Sequence, residues 1–184
     1  MHTLTDNALM LKVKSGDIDK LGLLYERYKK KMFGFFYNLG NTPSVSEDLV
    51  QNVFIRMLKY KHTFTGQGSF TAWMFTMARN VHYDHYKKVR QKGIVGELSG
   101  MDYKLAEDVT AEDAISKAED KMKLKKALGQ LSNDKREVLV LSKLNGLKYK
   151  EVAAVLNCTE SSAKVKAHRA LQDLRSIFLQ FEKK

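Results

Sequence analysis

Residues 146–170 read Gly146-Leu147-Lys148-Tyr149-Lys150-Glu151-Val152-Ala153-Ala154-Val155-Leu156-Asn157-Cys158-Thr159-Glu160-Ser161-Ser162-Ala163-Lys164-Val165-Lys166-Ala167-His168-Arg169-Ala170. Tyr149, Val152, Ala153 and Leu156 recur at helical spacing over about two turns. Asn157-Cys158-Thr159 interrupts the pattern, and a longer helix follows from Glu160 with Ala163, Ala167, Ala170, Leu171, Leu174 and Ile177 on one side. A short helix, a three-residue turn and a longer helix form the helix-turn-helix arrangement. Ala153 and Ala163 are small enough for the two helices to approach closely, and Thr159 is placed to cap the second one. The opposite face of that helix carries Ser161, Lys164, Lys166, His168 and Arg169. Lysine and arginine reach guanine edges or phosphates, and a helix N-terminus itself attracts phosphate. These residues therefore point to duplex DNA, with a plain helical hairpin and a solvated basic face as the alternative.

Charge extends the reading outward. The chain has 184 residues, 32 Lys plus Arg against 21 Asp plus Glu, and a formal net charge of +11. Residues 1–92 hold 15 basic and 7 acidic side chains, residues 93–120 hold 2 and 8, and residues 121–184 hold 15 and 6. Two basic blocks thus flank an acidic segment, the pattern of two small helical domains joined by a linker. One proline and 11 glycines give too little turn chemistry for an all-β fold, and a hydrophobic content of 43% supplies real cores. The single cysteine excludes an internal disulfide and a Cys-cluster zinc site. With no signal-peptide core and no membrane-length apolar run, the expectation is an all-α, cytoplasmic chain suited to a polyanion.

The N-terminal block also parses into helices. Asp6 is placed to cap a helix through Leu9, Met10 and Val13 that stops near Gly16. Ile18, Leu21, Tyr25, Tyr28, Met32, Phe35 and Leu39 form one stripe closed by Gly40. After the turn Asn41-Thr42-Pro43-Ser44, either Ser44 or Ser46 caps a third helix with Leu49, Val50, Val53, Phe54, Met57 and Leu58 inward. Its polar face offers Asp48, Gln51 and Asn52 beside Phe54, which periodicity alone reads as an ordinary solvated face. Thr65-Gly66-Gln67-Gly68 breaks the pattern, and Ser69 starts a helix with Phe70, Trp73, Met74, Met77 and Val81 on one side. Phe64, Phe70, Trp73, Phe75, Tyr83 and Tyr86 crowd this stretch beside Arg79, Lys87, Lys88, Arg90 and Lys92. Some must be core, yet aromatic rings next to basic groups are also what a platform for unstacked bases requires. Asn80 and Asp84 lie one turn apart, where amide and carboxylate suit either base edges or a surface pair. In the C-terminal block, Thr110-Ala111-Glu112-Asp113 looks like a capping box opening a helix through Ile115, Ala118 and Met122 toward Leu128. Ser132-Asn133-Asp134 starts another helix, with Val138, Leu139, Leu141 and Leu144, which ends at Asn145-Gly146.

Three of these runs carry a family resemblance in the correct order. Glu47-Asp48-Leu49-Val50-Gln51-Asn52-Val53-Phe54 resembles the polymerase-binding helix of bacterial RNA polymerase sigma factors. Gly68-Ser69-Phe70-Thr71-Ala72-Trp73-Met74-Phe75-Thr76-Met77-Ala78-Arg79-Asn80, with Asp84, is similar to their promoter-melting segment. The helix-turn-helix resembles their fourth conserved region. Size and order fit the extracytoplasmic-function group, which keeps only regions two and four.

The resemblance implies region two over residues 1–92, an acidic linker over 93–120 and region four over 121–184. It implies that Asp48, Gln51 and Phe54 grip the clamp helices of core RNA polymerase, whose flap is a further partner. Phe64, Phe70, Trp73 and Asn80, with the loop 65–69, would hold extruded bases of the minus-ten element, and Asp84 and Lys87 its duplex edge. Lys164, His168 and Arg169 would face the minus-thirty-five element of promoter DNA, with Lys166 on phosphate. An anti-sigma factor is the implied regulator. Asn52 departs from the family's usual Glu or Asp, Thr76 from Arg, Lys148 from a Ser or Thr cap, Ser161 from Gly, and Val165 from Ser. These departures bear on promoter sequence. The competing expectation is a two-domain regulator that binds duplex DNA without polymerase. An enzyme is not indicated: there is no phosphate loop, Ser-His-Asp set or HExxH run, and of His2, His62, His82, His85 and His168 only His82 and His85 form a helical pair. No catalytic residue, metal ligand or cofactor is expected.

Overall fold

A computed structural model describes residues 4–91 and 111–182 as helices and short connections, with no strand among them. Helix α1 spans Asp6–Lys14 and α2 spans Lys20–Asn38, with Gly16 and Gly40 closing the two in left-handed conformations. Helix α3 runs over Pro43–Lys59, and a 3-10 turn at Lys61–Thr63 leads into the glycine loop before α4, Phe70–Gln91. Helix α5 spans Ala111–Gln130 and α6 spans Asn133–Leu139, continuing into a π turn at Val140–Leu144. Helices α7, Tyr149–Leu156, and α8, Glu160–Glu182, form the helix-turn-helix. Asn157 at φ 52° turns the chain between them.

The caps explain why helices start where they do. Thr5, not Asp6, caps α1: its Oγ1 accepts from the Ala8 amide at 3.2 Å, which releases Asp6 to α2. Neither Ser44 nor Ser46 caps α3. Pro43 suits the first helical position, so the cap is Thr42, accepting from the Val45 amide at 3.3 Å. Ser46 lies inside and donates to the Thr42 carbonyl at 2.8 Å. Ile18 leaves the expected stripe because it precedes α2, and it is 52% exposed. Leu144 is also exposed, since the π turn shifts the inward register to Val140 and Leu141. The expected capping box at 110–113 begins outside the described residues, as does most of the expected linker, and the boundary at 120 falls within α5.

Leu24, Tyr28, Met32, Phe35 and Phe36 of α2 meet Val50, Val53 and Met57 of α3 and Phe70, Met74, Phe75 and Ala78 of α4 in the first core. Ring pairs Phe35–Phe36 and Phe35–Phe75, edge-on at 5.2 and 5.3 Å, order its centre. The second core joins Leu128, Val138, Leu139 and Leu141 to Val152, Val155 and the alanine face of α8. The two cores are continuous, because α4 packs directly on α7.

Polar contacts fasten that junction. Arg79 Nε of α4 donates to Glu137 Oε1 of α6 at 2.8 Å, and Ser69 donates to Glu151 of α7. The Arg136 guanidinium gathers the carbonyls of Leu128, Gly129 and Leu131 and crosses to that of Leu39 at 3.1 Å. The ammonium of Lys125 stands 3.6 Å over the Tyr37 ring.

Candidate nucleic-acid interface

The helix-turn-helix has one face inside and one outside. Ala163, Ala167 and Ala170 are buried, so α8 lies close against its neighbours with no large side chain between. Thr159 Oγ1 accepts from the Ser162 amide at 3.1 Å and starts the helix. Lys148 lacks a capping side chain, and Glu151 compensates by accepting the Lys148 amide at 2.9 Å. Lys164, Lys166, His168 and Arg169 are all exposed. Lys164 pairs with Glu160 at 2.8 Å, and that hydrogen bond holds the Glu160 carboxyl below its ordinary range. At about 100° per residue, Lys164 and Lys166 flank the outward face while His168 and Arg169 lie nearer its centre. Val165 occupies that centre at 48% exposed, and sequence reasoning assigned it no contact. Its methyl groups offer an apolar surface of the kind that meets a thymine methyl.

The second surface follows the loop 65–69 and α4. Gly66 and Gly68 adopt left-handed conformations, at φ 77° and 84°, that turn the chain sharply into α4. Phe64 and Phe70 lie under this loop and are almost fully buried, with rings 6.1 Å apart and Trp73 5.2 Å from Phe64. They form its floor, so neither offers a free face for stacking in this arrangement. Trp73 is half-buried, with its indole N–H donated to Thr63 Oγ1 at 3.2 Å. Asn80, Asp84 and Lys87 are exposed. Asp84 and Asn80 do not act as a pair: Asp84 accepts from Arg56 of α3 at 2.8 Å, and Arg56 also donates to Asn52 at 3.0 Å. Asn7 of α1, which the helical pattern gave no reason to single out, hydrogen-bonds the loop itself.

The third surface is the outer side of α3, where Asp48 and Gln51 stand exposed. Phe54 beside them is only 6% exposed and meets Tyr25 edge-on at 5.0 Å. It is the floor of a shallow groove lined by Ile18, Leu21, Leu23 and Tyr25. Ile18, Leu23 and neighbouring Ile55 are exposed apolar side chains, and of these only Ile18 was expected on the inward stripe.

Electrostatics mark the junction behind these surfaces. Burial pushes the Glu137 carboxyl up, partly opposed by the Arg79 hydrogen bond. Burial pulls the His82 imidazole down to about 4, assisted by His85 and Arg136. Among the described residues, no helix is long and apolar enough to cross a membrane.

Two family models match separate stretches of the chain. Residues 24–92 match the family described as Sigma-70 region 2, and residues 121–174 match Sigma-70, region 4. The chain is 31% identical to the ECF RNA polymerase sigma factor SigX of Bacillus subtilis, over 83% of this chain and 80% of that one. It is 30% identical to the ECF RNA polymerase sigma factor BldN of Streptomyces coelicolor, over 94% and 67%. It is 27% identical to the ECF RNA polymerase sigma-E factor of Escherichia coli, over 91% of each. Among solved structures, CnrH in complex with the cytosolic domain of CnrY has the same fold, with a TM-score of 0.70 at 22% identity over 94% of this chain and 96% of that one. The sigma factor RpoE of Bartonella quintana, in complex with the anti-sigma factor NepR, gives 0.67 at 24% identity over 85% and 94%.

Proposed function

This chain belongs to the extracytoplasmic-function RNA polymerase sigma factors, and from that premise we propose that it binds core RNA polymerase and directs it to promoters by reading two separate DNA elements. Sigma factors are initiation factors, not enzymes, so its chemistry is recognition. On this reading residues 1–92 are the polymerase-binding and melting unit and residues 121–184 the upstream reader, with 93–120 linking them. Asp48 and Gln51 supply polar contacts to the clamp helices, over an apolar floor to which Phe54 contributes. The loop 65–69, Trp73 and Asn80 receive extruded bases of the minus-ten element above the buried Phe64 and Phe70, and Asp84 and Lys87 lie toward its duplex edge. Lys164, His168 and Arg169 face the minus-thirty-five element, with Lys166 on phosphate. The site of action is the cytoplasm, where polymerase and promoter meet. An anti-sigma factor is the proposed regulator, as in the Bartonella complex.

The observation that carries this reading is that each of the three ordered motifs presents an exposed polar or basic face on a helix whose other face is core. In vitro transcription with core polymerase over a promoter library tests it. Promoter-specific transcripts are expected, and absence of any complex with core polymerase leaves only a DNA-binding regulator. Asp48→Ala and Gln51→Ala should each weaken holoenzyme formation by about 1–3 kcal/mol without lowering the melting temperature, since both side chains are exposed. Unchanged affinity in a titration removes α3 from the interface. Arg169→Ala should weaken duplex binding by about 1–3 kcal/mol and spare single strands. Asn80→Ala should do the reverse, because only a loop surrounds an unstacked base.

A further inference from the structure

We propose that Asn7 is a positioning residue for the loop 65–69, holding its backbone in the shape that receives an extruded base. The inference rests on the reading of that loop as the single-strand reader.

Asn7 lies in the first turn of α1, far from the loop in sequence, yet its carboxamide makes three hydrogen bonds there. Its Nδ2 donates to the Gly66 carbonyl at 3.2 Å and the Gly68 carbonyl at 2.8 Å, and its Oδ1 accepts the Phe70 amide at 2.9 Å. Two carbonyls and one amide settle which way the carboxamide points, because carbonyls only accept and an amide N–H only donates. The Phe70 amide is one of the first-turn donors of α4 that no carbonyl within the helix can satisfy. Asn7 therefore closes the start of α4 and spans both left-handed glycines at once.

The rest of α1 reinforces the grip. The Leu11 side chain sits 3.1 Å from where a Cβ on Gly66 would lie, and Lys14 Nζ donates to the Phe64 carbonyl at 2.7 Å. Helix α1 is itself anchored to α2, since Asp6 binds Arg27 at 2.6 Å and the Tyr28 hydroxyl at 2.5 Å. Burial and Asp6 push that hydroxyl's pKa up to about 12, so it remains a donor across the ordinary pH range. A glycine loop without this clamp would lose conformational freedom when a base arrived; with it, the ordering is complete beforehand.

The test uses the full chain in holoenzyme with core polymerase. A single-stranded DNA pool with a randomised centre is selected on wild type, and the tightest strand is compared with its single-base variants. Asn7→Asp keeps an acceptor for the Phe70 amide but turns an oxygen toward the two glycine carbonyls. A carboxylate near the start of α1 favours that helix, so folding is preserved. Asn7→Ala removes all three bonds and serves as the second variant, and Asn7→Gln restores the donor and acceptor groups on a longer arm. With the affinity for core polymerase unchanged, Asn7→Asp and Asn7→Ala should lower the ratio between tightest strand and single-base variants by about five- to thirty-fold. Amide exchange should accelerate at residues 66–70, with Asn7→Gln recovering part of both effects. Exchange that accelerates while the ratio stays at wild type assigns Asn7 to stability alone and overturns the proposal. An unchanged ratio with unchanged exchange overturns the clamp. A wild-type holoenzyme indifferent to single-strand sequence overturns the loop's role, and this inference with it.

Discussion

The imidazole of His82 lies within 6.4 Å of the Phe36 ring and 3.3 Å from the Asn41 side-chain nitrogen, with His85 and Arg136 as the titratable groups acting on it. Burial first, then the neighbouring His85 and Arg136, pull it down from 6.5 to about 4. The folded chain thus prefers the neutral ring. The stability this supplies is complete above about pH 6.5 and drains away as pH falls toward about 4, amounting to about 3 kcal/mol. His82→Gln, neutral at every pH, should flatten the pH dependence of the urea midpoint across that window. A wild-type slope in the variant would place the dependence on other groups. Nothing in the sequence distinguished His82 from its helical neighbour His85, because desolvation depends on which helices cover the ring. Asp84 shows the same limit: its i,i+4 spacing to Asn80 was visible, whereas its actual partner Arg56 sits 28 residues away on another helix.

Helices were legible wherever one face had to be apolar. The alanines of α8 were legible in position and in consequence, because small residues at Ala163, Ala167 and Ala170 leave room only for a close neighbour. Ala163→Leu should cost about 1–3 kcal/mol through overpacking and push α8 away from α7. Thermal melting and duplex-binding anisotropy check this together. A variant that melts and binds as wild type does would mean the crossing is looser than its burial indicates. Boundaries were harder to read. Ser44 or Ser46 was expected to cap α3, but Pro43 fits the first helical position, which starts the helix earlier and makes Thr42 the cap. The π turn at 140–144 left no local trace in the apolar spacing, so Leu144 was expected inside and stands outside. Phe64 and Phe70 were rightly placed among the loop's aromatics. Phe70 was expected on the apolar side of α4 and is buried there, whereas the burial of Phe64, which precedes the helix, depends on packing that spacing does not encode.

At the scale of the molecule, the two readers lie against each other. Ser69 at the edge of the loop bonds Glu151 of α7, and α7 packs on α8, so they stand a few helix diameters apart at most, roughly 30 Å. Elements centred at minus ten and minus thirty-five are separated by roughly 85 Å of duplex, at about 3.4 Å per base pair. Engaging both requires the α4–α7 junction to open, and Arg79–Glu137 is its buried ion pair, with Glu137 only 4% exposed. Arg79→Ala strands that carboxylate and should weaken the junction by about 1–3 kcal/mol, discounted for the partial exposure of Arg79. Small-angle scattering should then report a larger radius of gyration, while Glu137→Gln, which still accepts from Arg79, should stay nearer wild type. An Arg79→Ala chain as compact as wild type would assign the junction to apolar packing alone. The closed junction also sets an occupancy for every ligand that needs the halves apart. Were about one molecule in a hundred open, such a ligand would bind about a hundredfold more weakly than its contacts allow. A partner that meets only open molecules would then have to supply about 2.7 kcal/mol before its affinity became visible, whereas one that clasps both halves where they already touch would supply none of it.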